Sequence, residues 1–201
     1  MKKVILSLVA ISTIAALSFT TIDSLQIGGT MPKADTKMLD VSGKSVSIKD
    51  NLQENGVLVM FSCNTCPYVI KNEERIRTIN KFALENNVGV IVLNSNEAYR
   101  TKDDSFEAMQ AYAKEQQFNW SYVIDKNHEV ADAFGANRTP ECFLFNNQMT
   151  LVYHGAIDDS PADESAIKRI HLKEAINELK VGKEISVKES KSVGCSIKRN
   201  K

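Results

Sequence analysis

Two cysteines separated by two residues, Cys63-Asn64-Thr65-Cys66, are followed directly by Pro67. A thiol pair at this spacing can close a disulfide, pass it to another molecule, or supply half of a metal site. The residues ahead of the pair, Val57 to Phe61, form a short apolar run that reads as a buried strand. Those behind it place Val69, Ile70, Ile76, Ile79, Phe82 and Ala83 at the spacing of a helix face. Pro67 suits the first helical turn, where a missing N–H costs little. Sulfur at a strand-to-helix junction meets unpaired N–H groups and the positive end of the helix dipole, which favour a thiolate. Cys63 is therefore expected to be the low-pKa nucleophile. Cys66, one turn further in, would attack the mixed disulfide that Cys63 forms. A structural disulfide is the plainer alternative. A zinc site is the other, but no second CxxC or paired histidines complete one.

Two more cysteines bring the count to four. Cys142 lies in the apolar run Cys142 to Phe145 and reads as a small buried residue on the same side of its strand as Pro140. Cys195 follows Gly194 in a polar tail. It reads as a surface thiol, a partner for Cys142, or a resolving thiol for the first pair. His128, His154 and His171 fall in different elements with no metal-like spacing, so neither a metal nor a cofactor is expected. The polar loop Asn94 to Arg100 reads as a solvated connection, although ligands collect at this end of open α/β sheets.

The elements that position these residues alternate. Lys44 to Ile48 pairs with Asp35 to Asp40 as a hairpin around Gly43, and Val88 to Leu93 is a second buried strand. Asp103 or Asp104 is expected to cap a helix carrying Phe106, Met109 and Ala113. Trp120 to Ile124 is a strand, and Lys126 to Phe134 a short helix closed by Gly135. Glu141 to Phe145 and Thr150 to His154 form a hairpin, and Asp163 to Lys180 an amphipathic helix. Strand–helix alternation implies a parallel core sheet with antiparallel edges, an α/β fold.

With 201 residues, 43% of them hydrophobic and 25% charged, the chain suits one globular domain. Its formal net charge is zero, and it carries no basic stripe that would point to nucleic acid. Lys2-Lys3 followed by the apolar stretch Val4 to Leu17 and small residues at Ala16 and Ser18 reads as a signal peptide over residues 1–18. Its removal takes two lysines and no acid, leaving a formal charge of −2 and no membrane span. An uncleaved anchor is the alternative. Export to a bacterial periplasm is expected, where disulfides persist.

The strand–CxxC–Pro–helix junction, Thr139-Pro140 ahead of a strand, and the closing hairpin and helix resemble the thioredoxin-like superfamily. The segment from Leu25-Gln26-Ile27-Gly28 to Asp40-Val41-Ser42-Gly43-Lys44 resembles the start of its redoxin branch. The resemblance implies a central mixed sheet flanked by helices with an added N-terminal β-hairpin, spanning residues 19–180, and Cys63 and Cys66 as the redox pair. It also implies a cis Pro140 facing them, with Thr139 offering backbone groups to substrate. The function implied is thiol–disulfide exchange with protein disulfide or dithiol substrates and an unidentified redox partner. Two alternatives stand beside it, a thiol peroxidase and a non-catalytic binding module stapled by its CxxC. Peroxiredoxins carry a threonine three residues before the reactive cysteine, where this chain has Met60 or Cys63. Phe61-Ser62 and Asn64-Thr65 also replace the family's common Trp and Gly-Pro.

Residues 181–201 read as an extended tail. Apolar residues alternate at Ile185 and Val187 and again at Val193, Cys195 and Ile197, as in a strand with one side against the protein. Cys195 would then face either Cys142 or the active pair.

Overall fold

The computed structural model describes residues 24–200; the signal-like segment over residues 1–18 lies outside the described residues. The chain opens with a hairpin of β1 (Met38–Asp40) and β2 (Ser45–Val46). Gly43 makes the turn with φ +83°, a conformation glycine adopts without steric cost. Then come β3 (Gly56–Ser62), α1 (Pro67–Lys71), α2 (Glu73–Glu85) and β4 (Val88–Asn94). The middle of the chain supplies α3 (Phe106–Glu115), β5 (Ser121–Ile124) and α4 (Glu129–Phe134). It closes with β6 (Arg138–Thr139), β7 (Glu141–Phe145), β8 (Leu151–Gly155), α5 (His171–Lys180) and β9 (Cys195–Ser196).

Seven strands make one sheet in the order β2-β1-β5-β4-β3-β7-β8. β3, β4 and β5 run parallel, while β7 and β8 on one side and the opening hairpin on the other are antiparallel. This is the mixed α/β sheet of the thioredoxin-like fold, with the added hairpin at its edge. The period of two along β3 sends Leu58 and Met60 to one face and Val57, Val59 and Phe61 to the other, and both faces are buried. The first face packs on Ile76, Ile79 and Ala83 of α2 and Leu172, Ala175 and Ile176 of α5. The second packs on Phe134 of α4, which meets Phe61, Phe143 and Phe145 edge to face at centroid distances of 5.5, 5.2 and 5.6 Å. Among the described residues, no helix is long and apolar enough to cross a membrane.

Three expectations need correction. The helix after the cysteines breaks at Asn72, whose buried amide donates to the carbonyls of Tyr68 and Pro161. The break shifts the phase, so Ile70 lies outside the apolar face and is half exposed. The last helix starts at His171, not Asp163. Residues 164–166 make a single 3-10 turn capped by Asp163, and Arg169 O accepts from Asp159 N instead of continuing a helix. The cap of α3 is Ser105, whose hydroxyl accepts from Ala108 N at 3.2 Å.

Residues beyond α5 cross the body of the domain in extended form. Ile185 and Ile197 are buried in the two halves of the core. Ser190 bonds the Tyr153 hydroxyl and accepts from Ala156 N. Ile197 N donates to Asn137 O, and the Arg199 guanidinium reaches Asp132 and Ala136 O. Between these anchors, β9 pairs antiparallel with β6.

Candidate active site

β3 ends at Ser62, so Cys63 leaves the sheet at the carboxyl end of an inner strand. Pro67 is the first residue of α1, which makes Cys66, with extended backbone at ψ 123°, the residue capping the helix. The Thr139–Pro140 peptide is cis and faces both sulfurs. Cys63 Sγ lies 3.6 Å from Thr139 Oγ1, and the Cys66 thiol donates to Thr139 O at 3.2 Å.

The two thiols share a proton, and the sharing lowers one pKa and raises the other. As a thiolate, Cys66 accepts from the Cys63 thiol above all, and then from the Cys195 thiol, the Val69 amide and the Thr139 hydroxyl. These donors outweigh both burial and the opposing Thr139 carbonyl, and hold Cys66 well below the ordinary thiol range. Cys63 is pushed up by its hydrogen bond to Cys66, by burial and by the nearby Asp104 carboxylate. The bond shared with Cys63 is the largest influence, and the Val69 amide in the first turn of the helix that Cys66 caps adds a smaller one.

Cys142 is fully buried in β7 opposite Met60, and burial raises its thiol pKa. It belongs to the apolar core below the pair. Cys195 sits in β9 opposite Thr139, with its sulfur in hydrogen-bonding reach of Cys66. The site therefore brings together Cys63, Cys66, Thr139, Pro140 and Cys195. Among the described residues, no group of three or more His, Cys, Asp or Glu is arranged to hold a metal ion.

Asp104 is the residue that sequence reasoning misplaced. Fully buried, it accepts from Asn64 N at 2.9 Å, Asn94 Nδ2 at 2.7 Å and Asn96 Nδ2 at 3.0 Å. Tyr122, also buried, donates its hydroxyl to Asn64 Oδ1 at 2.8 Å. The segment between the two cysteines is thus held from below by a carboxylate and a phenol. The loop expected to be solvated, Asn94 to Arg100, folds inward to complete this network. Asn94, Ser95 and Asn96 are buried, and Arg100 ties Asn94 O to Asp104 O. Asn96 also reaches the tail, because its Oδ1 accepts from Lys198 N at 2.8 Å.

The cis-proline loop has its own support. Glu141, buried beside Pro140, accepts from the amides of Asn137 and Arg138 with one oxygen and contacts His154 Nε2 at 2.8 Å with the other. His154 stacks on Phe143. Charge-assisted bonds of this kind fix a loop where no regular ladder does.

The redoxin family model matches residues 26–170. A thiol-disulfide oxidoreductase ResA from Halalkalibacterium halodurans is 24% identical over 127 residues, 62% of this chain and 68% of that protein. Among solved structures, an uncharacterized conserved protein from Geobacillus kaustophilus is 28% identical with a TM-score of 0.82, covering 89% of this chain and 94% of its own. A hypothetical protein from Sinorhizobium meliloti 1021 is 27% identical with a TM-score of 0.80, covering 89% and 97%. With its sheet order, its cis-proline loop and a model match over most of its length, this chain belongs to the redoxin family of the thioredoxin-like superfamily.

Proposed function

We propose that the protein is a thiol–disulfide oxidoreductase that exchanges disulfides with protein partners through Cys63 and Cys66. The observation that carries this reading is the contact of both sulfurs with Thr139 beside the cis Pro140, at 3.6 and 3.2 Å. Two thiols a few ångströms apart, one favoured as thiolate and the other as thiol, suit a reversible two-electron couple. In the reduced pair the two sulfurs hold one proton between them once the first is lost; in the oxidised pair they are joined. Thr139 offers the backbone beside which a partner's extended chain is drawn up. The basic and then apolar start of the chain supports export, to a compartment where such exchange has substrates. The test is reduction of insulin disulfides with dithiothreitol as electron donor, run on the protein beside Cys63→Ser and Cys66→Ser. Loss of turnover in both variants supports the assignment. Unchanged turnover in either contradicts it.

A further inference from the structure

The cysteine pair is covered. Cys63 is 2% exposed and Cys66 4%, so a protein partner cannot seat a sulfur on either as the chain stands. Against them packs the chain's own β9, laid antiparallel along β6 with Cys195 opposite Thr139. An extended strand added to a free edge is a common way for one protein to hold a peptide of another. Here that edge is taken by an internal peptide, and the peptide carries a cysteine.

The fit is close. A Cβ at position 194 would lie 2.1 Å from the Thr139 carbonyl oxygen and 2.7 Å from its carbon, so only glycine lets the strand lie this near the cis-proline loop. Tyr68 N–H points at the Cys195 sulfur, and the Cys195 side chain packs against the cluster that contains Cys63 and Cys66. Cys195 is also half-buried where its two neighbours are buried. Cys66 bonds the Thr139 carbonyl, and Cys195 pairs with Thr139 across the two strands, which places Cys195 near Cys66.

We propose that Cys195 is a third redox thiol, an internal substrate that relays the disulfide between the buried Cys63–Cys66 pair and protein partners. The proposal rests on the exchange chemistry assigned above. Starting from the Cys63–Cys66 disulfide, the Cys195 thiolate attacks Cys66 Sγ. The Cys63–Cys66 bond breaks, a Cys66–Cys195 bond forms, and Cys63 leaves as a thiolate that takes up the proton Cys195 gave away. No electrons enter or leave. A partner thiolate then attacks the half-buried Cys195 sulfur, forming a mixed disulfide and releasing Cys66. Cys66 leaves as a thiolate that its hydrogen-bond partners stabilise, and a good leaving group speeds exchange. A second partner thiol attacks the partner's sulfur in the mixed disulfide, closes the partner's own disulfide and frees Cys195. Two electrons have passed from the partner's dithiol to the protein. Run backwards, the same steps reduce a partner disulfide at the expense of the reduced pair.

The test uses the full chain and two readouts. In the first, reduced protein is titrated with oxidised glutathione, quenched with N-ethylmaleimide and mapped by non-reducing proteolysis and mass spectrometry. A Cys66–Cys195 peptide pair is expected alongside Cys63–Cys66. Gly194→Ala, which lifts the strand from Thr139, should lower the Cys66–Cys195 yield about tenfold and leave Cys63–Cys66 intact. Cys195 recovered fully alkylated at every stage of oxidation would overturn the proposal. In the second, Cys195→Ser should slow insulin reduction about tenfold while the Cys63–Cys66 disulfide still forms on oxidation. Unchanged insulin turnover would overturn the relay and leave the exchange function standing. Faster turnover would make the strand a mere cover and overturn it equally. If Cys63 and Cys66 never form a disulfide at all, the function itself falls, and the relay with it.

Discussion

Asp104→Asn tests whether the buried network beneath the cysteines also holds the tail. The change is isosteric, and the new amide oxygen can keep the bonds from Asn64 N and Asn94 Nδ2 that now end on Oδ1. Its NH2 group then faces Asn96 Nδ2, a donor against a donor. Asn96 cannot turn over to repair this, because its oxygen already accepts from Lys198 N. The variant must give up either the bond between positions 104 and 96 or the bond that anchors the tail. Losing one hydrogen bond to a charged group costs about 1.5–3 kcal/mol. For a chain of this size that corresponds to a fall in Tm of about 3–12 °C. Removal of the carboxylate also takes away one of the influences that raise the Cys63 pKa, so Cys63 should titrate lower in the variant. Thermal unfolding and mass-mapped alkylation of the reduced protein read both effects, and Cys195 should be alkylated faster as the strand loosens. An unchanged Tm with unchanged labelling of Cys195 would refute the coupling of Asp104 to the tail through Asn96.

The ion pair of Arg75 and Asp158, at 2.7 Å with both side chains largely buried, ties α2 to the turn after β8. Arg75→Met leaves an unpartnered buried carboxylate and should cost about 3–5 kcal/mol in urea unfolding, and Asp158→Asn added to it should recover part of the loss. Phe134→Ala empties the centre of the aromatic cluster and should cost about 3–5 kcal/mol, with exchange in the surviving folded fraction unchanged. The reduced protein should also lose stability on acidification. The folded pKa of Cys66 lies below its unfolded value near 8.5, so its contribution fades as pH falls towards the folded value, while the raised pKa of Cys63 costs stability above about 8.5. Comparison of Tm against pH for the reduced wild type and Cys66→Ser checks this, and parallel curves would contradict the lowered pKa.

Much of the scaffold is legible in the sequence because burial writes it plainly. The apolar runs of β3 and β4 can only be inner strands, and Pro67 marks the start of α1. The same proline carries information that a dipole argument centred on the first cysteine passes over. A proline at the first helical position makes the residue before it the cap, which is Cys66. Thr139-Pro140 gains meaning from the family resemblance, since an isolated X-Pro defaults to trans. Asp104 is hidden by its neighbours. In Asp103-Asp104-Ser105 any of the three can cap a helix, and Ser105 does so, which frees Asp104 to turn inward. Nor does the polar composition of Asn94 to Arg100 distinguish a solvated loop from a buried one. The side chains satisfy one another and Asp104, an arrangement that depends on contacts with residues distant along the chain. Alternation in the tail suggests a covered face, while its place beside β6 depends on the cis-proline loop and on Gly194.

The central claim is that Cys63 and Cys66 form a working redox couple and not a staple. It is tested most directly by equilibrating the protein in glutathione buffers of graded potential and quantifying the Cys63–Cys66 disulfide by mass spectrometry. The account expects a reversible two-electron transition, about 30 mV per tenfold change, with a midpoint in the range of roughly −270 to −120 mV found for catalytic pairs. A disulfide that resists reduction below about −300 mV, as structural disulfides do, would contradict it.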